Sequence, residues 1–190
     1  MIHTVPILLV LSALLAVQQN ALPQRTLASV RALPTVAALA TASRSVEITI
    51  DWLSVDAPGP GRGPVPGGGV LVTPRSLPEV HRFRIVRRVV IDGAPARERD
   101  PQVAADELVV VAVNSQGREI GWLHLTDPRV VRGEQPGARG TLTGQVLHRT
   151  ETQLMIRLPD GLDASALRVY EVLSGSADFT LRNLGTISLR

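Results

Sequence analysis

The 190-residue chain has no cysteine and no lysine, and only two tryptophans, two phenylalanines and one tyrosine. Each absence removes a chemistry. Without cysteine there is no disulfide, thiolate zinc site, thiol nucleophile or acylated lipobox. So few aromatic rings leave little on which bases can stack, and neither a helix-turn-helix nor a zinc-finger pattern is present, so nucleic acid is not an expected partner. All 20 basic residues are arginine, a bias that a GC-rich genome explains more simply than a separate demand for guanidinium at every position. The same bias lifts the isoelectric point to about 10.8, because almost nothing titrates between neutrality and the arginine range. The net charge of +3 is the better guide, and it is small.

Long apolar runs are scarce too. The longest, "VPILLVLSALLAV" from Val5 to Val17, matches the core of a secretory signal and falls short of the roughly 20 residues a membrane-spanning helix needs. The expectation is a leader within residues 1–42 and export of the remainder to the periplasm or extracellular space, with an uncleaved N-terminal anchor as the alternative. Small residues suitable for cleavage occur at Ala16 and again at "ATA", Ala40 to Ala42. Cleavage after Ala42 removes Arg25 and Arg31 and leaves 18 arginines against 17 acids, so most of the basicity disappears.

What is present from Ser45 onward is alternation. "SVEITIDW" sets Val46, Ile48, Ile50 and Trp52 on one side and Glu47, Thr49 and Asp51 on the other, the period of a half-buried strand. "DAPGPGRGPVPGGG", Asp56 to Gly69, follows; its glycines and prolines suit neither helix nor paired strand, and with no lysine and no helix behind it the stretch is no phosphate cradle. Further strands are expected at Val80 to Ile91, Glu107 to Asn114, Arg118 to Thr126, Thr141 to His148, Thr152 to Leu158, Leu167 to Val172 and Phe179 to Leu189. "SQG" between the third and fourth marks a hairpin, and Asp127 to Gly140 reads as a Gly/Pro-rich connection.

About eight strands at short spacing predict an all-β, antiparallel two-sheet sandwich occupying residues 43–190 as one domain. The outline resembles the immunoglobulin-like and fibronectin-type sandwiches of exported bacterial proteins over residues 45–190. The resemblance is one of architecture; it lacks a Cys…Trp…Cys spacing and carries no binding residue over.

"HRFRIVRRVV", residues 81 to 90, holds the densest positive charge. On a regular strand Arg82, Arg84 and Arg88 share a face with Val86 and Val90, while His81, Phe83, Ile85, Val89 and Ile91 share the other with Arg87. A row of guanidinium forks suits phosphate, uronate or sulfate groups; the blander reading is that Glu107, Glu119 or Glu151 neutralises them across the sheet. Arg87 among apolar neighbours signals a bulge or a guarded edge strand. Arg129, Arg132 and Arg139 form a second group, read as a solvated loop near Glu134 that extends the first if the fold brings them together.

Catalytic signatures are thin. His81, His124 and His148 show no metal-ligand spacing, "SGSAD" at Ser174 to Asp178 precedes a strand rather than a helix, and "DGLD" lacks the alternating oxygens of a calcium loop. No metal or cofactor is expected. His124 and Asp127 form the one acid pair that a turn at Pro128 brings within reach. The function expected is therefore an exported, non-catalytic interaction module that binds an envelope protein or a surface polymer, with membrane contact only through the leader. Arg82, Arg84, Arg88, Arg129 and Arg132 are its candidate contacts. The alternatives are a small secreted hydrolase around His124 and Asp127, or an arginine-mediated binder of anionic polysaccharide.

Overall fold

A computed structural model describes residues 25–41, 43–56, 79–97, 101–105, 107–136, 142–173 and 178–190. The apolar run Val5 to Val17, the Gly/Pro loop after Asp56, Arg139 and Ser174 lie outside the described residues.

Among the described residues the chain is all-β apart from two short helical turns. Its strands are β1 (Arg25–Thr26), β2 (Arg44–Asp56), β3 (Glu79–Asp92), β4 (Glu107–Val113), β5 (Glu119–Thr126), β6 (Val130–Pro136), β7 (Leu142–His148), β8 (Glu151–Pro159), β9 (Ala166–Leu173) and β10 (Thr180–Ser188). Helix α1 (Leu27–Arg31) and a 3-10 turn, Val36–Leu39, lie between β1 and β2. The strands form antiparallel sheets in the orders β1-β10-β9-β4-β5 and β3-β2-β8, plus a two-stranded ribbon, β6-β7.

The alternation in β2 is realised as expected: Val46, Ile48, Ile50 and Trp52 are buried. Together with Leu154, Ile156 and Leu158 of β8 they meet Leu108, Val110 and Ala112 of β4 and Leu167 and Val169 of β9 in one cluster, so the two larger sheets close on a shared apolar layer. Strand β4, "ELVVVAV", does not alternate; after Glu107 every residue is buried. A strand of that kind needs cover on both faces. The second cover comes from the segment read in the sequence as leader: Leu27 and Val30 of α1 pack with Val109 and Val111 of β4, Trp122, Tyr170 and Leu181. Thr26 caps α1 by accepting from Ser29 N at 3.4 Å, and Leu27 N donates to Phe179 O at 2.9 Å.

The next segment docks on β5. Trp122 N donates to Pro34 O at 3.0 Å, and its indole Nε1 donates to Leu33 O at 3.1 Å. That approach depends on Gly121, where a Cβ would stand 2.9 Å from Leu39 Cδ1 and 3.1 Å from Pro34 O. The β4–β5 hairpin is the one foreseen: Asn114 Oδ1 accepts from Gln116 N and Arg118 N, and Gly117 turns the chain at φ 77°. Between Asp127 and Gly140, where a loop was expected, strand β6 pairs with β7 from Val130↔His148 to Pro136↔Leu142.

Candidate functional site

Strand β3 runs along the edge of its sheet, and its register with β2 slips by one residue: Ile50 lies opposite Ile85, but Thr49 lies opposite Arg87. Val86 is therefore a bulge, one position before the residue at which the sequence signalled one. A bulge inverts the side-chain parity of everything beyond it. Arg82 and Arg84 keep the outer face, opposite Leu53 and Asp51, whereas Arg88 sits opposite the buried Ile48, on the inner side, and donates to Leu189 O at 3.2 Å. Arg88 thus leaves the expected row, and Arg87 takes the outer face in its place. A slip at Ala112 likewise separates Ile120 from Trp122 and His124, with which an unbroken strand would align it.

Arg82 and Arg84 border a concavity of about 1010 Å³ where β2 ends and β3 and β8 begin, lined also by Asp51, Arg149, Glu151 and Gln153 with Trp52 and Phe83. Three guanidinium groups and two carboxylates meet there. Arg84 Nη2 donates to Asp51 Oδ2 at 2.6 Å, and Gln153 Nε2 donates to Asp51 Oδ1 at 3.0 Å. The Arg84 bond, followed by that of Gln153, holds the Asp51 carboxyl below its ordinary pKa. The partner of Arg84 is thus Asp51 rather than the glutamates considered from sequence. Glu107 instead meets His124, and Glu119 meets Arg25 and Arg168. Beside the concavity, Trp52 Nε1 donates to His81 Nδ1 at 3.3 Å and Ser54 Oγ lies 3.1 Å from the same nitrogen. An indole N–H only donates, so Nδ1 is the acceptor and the imidazole is the neutral Nε2–H tautomer.

Arg129 corrects the solvated-loop expectation outright, since it is 1% exposed. Its Nε donates to Asp127 Oδ1 at 3.0 Å, and Nη2 donates to Asp127 Oδ2 at 2.6 Å and to Glu171 Oε1 at 3.2 Å. The guanidinium lies over Trp52, 4.2 Å from the ring centroid, and Arg182 also pairs with Glu171. A cation so enclosed clamps the turn before β6 to both larger sheets and is not open to a partner. Arg132, on β6, is exposed and stands apart from the concavity's lining.

The hydrolase pair does not assemble. Asp127 is committed to Arg129, and His124 Nδ1 donates to Glu107 Oε2 at 3.2 Å, an oxygen that also accepts from Ala104 N at 3.0 Å. His124 borders a smaller groove of about 430 Å³ with Trp122, Leu123, Met155 and Arg157. Among the described residues no group of three His, Asp or Glu side chains is placed to hold a metal ion, and no helix is long and apolar enough to cross a membrane.

A further cluster ties β1 into the fold. Arg25 grips Glu119 through both Nη atoms, with Nη2 at 2.6 Å from Oε2, and packs over the Tyr170 ring at 5.1 Å. Arg168 Nη1 adds a bond to Glu119 at 2.9 Å. The Arg25 bond outweighs burial and holds Glu119 below the usual carboxylate range. Sequence reasoning missed this site because Arg25 was assigned to the leader.

Fold and site together define an all-β chain with a mixed-charge, arginine-bearing concavity at one sheet end. Comparison with protein-family models, curated proteins and solved structures gave no match to the chain.

Proposed function

We propose that this is an exported, non-catalytic β-sandwich module that contacts an anionic surface polymer through the concavity bordered by Arg82, Arg84 and Arg149. The observation that carries the reading is the convergence of these three side chains, from β3 and the turn before β8, on one cleft of about 1010 Å³. Alternate residues of a strand stand about 7 Å apart, so Arg82 and Arg84 present two forks in series to successive acidic groups. Asp51 and Gln153 orient one of these forks.

The sandwich is immunoglobulin-like in one half. The order β10-β9-β4-β5 follows the G-F-C-C′ arrangement of such domains, with β8 as strand E. In the other sheet β2 takes the place of B beside β8, and β3 occupies the edge that strand A fills elsewhere. In this reading the leader ends before Arg25, because cleavage at Ala42 would strip Leu27, Val30 and Val36 from the core.

The test is calorimetric titration with polygalacturonate and with a neutral glucan at low and at physiological salt. Binding to the uronate alone, weakening steeply with salt and abolished in an R82A/R84A/R149A variant that still melts cooperatively, supports the reading. Salt-insensitive binding, no binding, or full affinity in the variant refutes it.

A further inference from the structure

We infer that the anionic partner is a linear polymer lying along β3, and that Arg87 is a further contact for it outside the concavity. The inference rests on the reading of the concavity given under the proposed function and deepens it. Strand β2 serves as the ruler. Leu53, Asp51 and Thr49 are alternate residues on its outer face, and they stand opposite Arg82, Arg84 and Arg87. From Asp51 to Thr49 β2 advances two residues, while β3 advances three from Arg84 to Arg87, because Val86 is bulged out of the ladder. The three arginines therefore follow one another in even steps of about 7 Å, about 14 Å from first to last.

The bulge decides which charges form the row. On an unbroken strand the next residue after Arg84 on that face is Val86, and Arg88 follows, so an apolar gap would interrupt the positive charge. With the slip, Val86 leaves the row, Arg87 comes directly after Arg84, and Arg88 turns to the inner side, where it donates to Leu189 O at 3.2 Å. Arg82, Arg84 and Arg87 are all exposed. The first two border the concavity and Arg87 does not, so Arg87 carries the positive charge out of it along the sheet.

The flanks give the row a direction. Across the outer face Arg82 and Leu53 are followed by Glu151, and Arg84 and Asp51 by Gln153. The carboxylates of Asp51 and Glu151 thus border the row on one side. They oppose an anionic chain laid across the strands, whereas one laid along β3 meets a guanidinium at each step. The row stops at Val89, which stands opposite Glu47. The partner that fits is an unbranched chain with an acidic group on successive units, long enough to pass out of the concavity.

The experiment is calorimetric titration with trigalacturonate and with octagalacturonate at low salt, for the wild type and for R87A, R88A and R82A/R84A/R149A. In R87A the octamer is expected to bind roughly fivefold more weakly, the upper end for one exposed ion pair, while the trimer, held in the concavity, binds as before. R88A is expected to bind both oligomers as the wild type does. Octamer binding that R87A leaves untouched, or that R88A weakens as much as R87A, overturns the inference and leaves the reading of the concavity standing if the triple variant has lost affinity. Equal losses for trimer and octamer in R87A overturn it too, since they mark a loss of general charge rather than of a contact with the longer chain. A wild type that binds neither oligomer, or a triple variant that binds both at full affinity, refutes the reading of the concavity and the inference with it.

Discussion

Replacing Arg129 with methionine tests the enclosed clamp most directly. Methionine keeps much of the side-chain volume but removes the guanidinium, leaving the Asp127 carboxylate, 3% exposed, without the Arg129 cation, and Glu171, 7% exposed, with one cation fewer. Breaking a buried ion pair from one side costs about 3–5 kcal/mol. The contact over Trp52 is lost as well. Domains of this kind are stable by about 5–15 kcal/mol, so R129M removes a large part of the total. At about 2–4 °C per kcal/mol for a chain of this size, its melting temperature should fall by roughly 10 °C. R129K should fall between the two, because an ammonium keeps the charge but cannot span Asp127 and Glu171 with a planar fork. Urea unfolding followed by tryptophan fluorescence and by circular dichroism measures the loss. If R129M melted within about 2 °C of wild type, the carboxylates would have to be solvated and the clamp would not exist as described.

Three other outcomes follow from the packing. E119Q should cost about 1–2 kcal/mol at neutral pH, the lower part of the range for charge-assisted bonds because the site is one-fifth exposed. Since Arg25 lowers the folded pKa of Glu119, that stability is fully present above the unfolded value near 4.3 and is lost as pH falls through the lower folded value, so the gap between the two melting curves must narrow in acid; a gap unchanged from pH 7 to pH 3 contradicts this. G121A should destabilise by about 1–2 kcal/mol, since Leu39 can swing away but Pro34 O is backbone, and amide exchange at Trp122 should quicken. A chain beginning at Ser43 loses Leu27, Val30 and Val36, all at most 2% exposed, at about 1.5–3 kcal/mol each, and should be unfolded or insoluble, whereas one beginning at Arg25 should melt cooperatively.

Much of the strand pattern was legible because it is local. The period of two located β2, β3, β5, β7, β8, β9 and β10 to within a residue or so at most ends, the apolar run before the hairpin located β4, and the Asn114 to Gly117 turn carried its own signature. Faces were harder. The bulge at Val86 moves Arg88 to the inner side, and a strict alternation has no way to place such a slip, although Arg87 among apolar neighbours pointed within one residue of it. Arg129 was misread because its burial depends on Glu171 and Trp52, 42 and 77 positions away in the chain, while only Asp127 is near. One overlooked signal was available: Val109 to Val111 form an unbroken apolar run, which called for cover on both faces of β4, and Leu27 and Val30 had the helical spacing to supply it.

The slip in β3 also bears on behaviour at high concentration. A straight edge strand of fourteen residues, Glu79–Asp92, is long enough to template the growth of fibres by addition of extended segments from neighbouring molecules. At Val86 that template is cut into two short stretches of opposite parity, and arginine is present in each. An incoming chain in register with one stretch is out of register with the next, so polymerisation along this edge stalls.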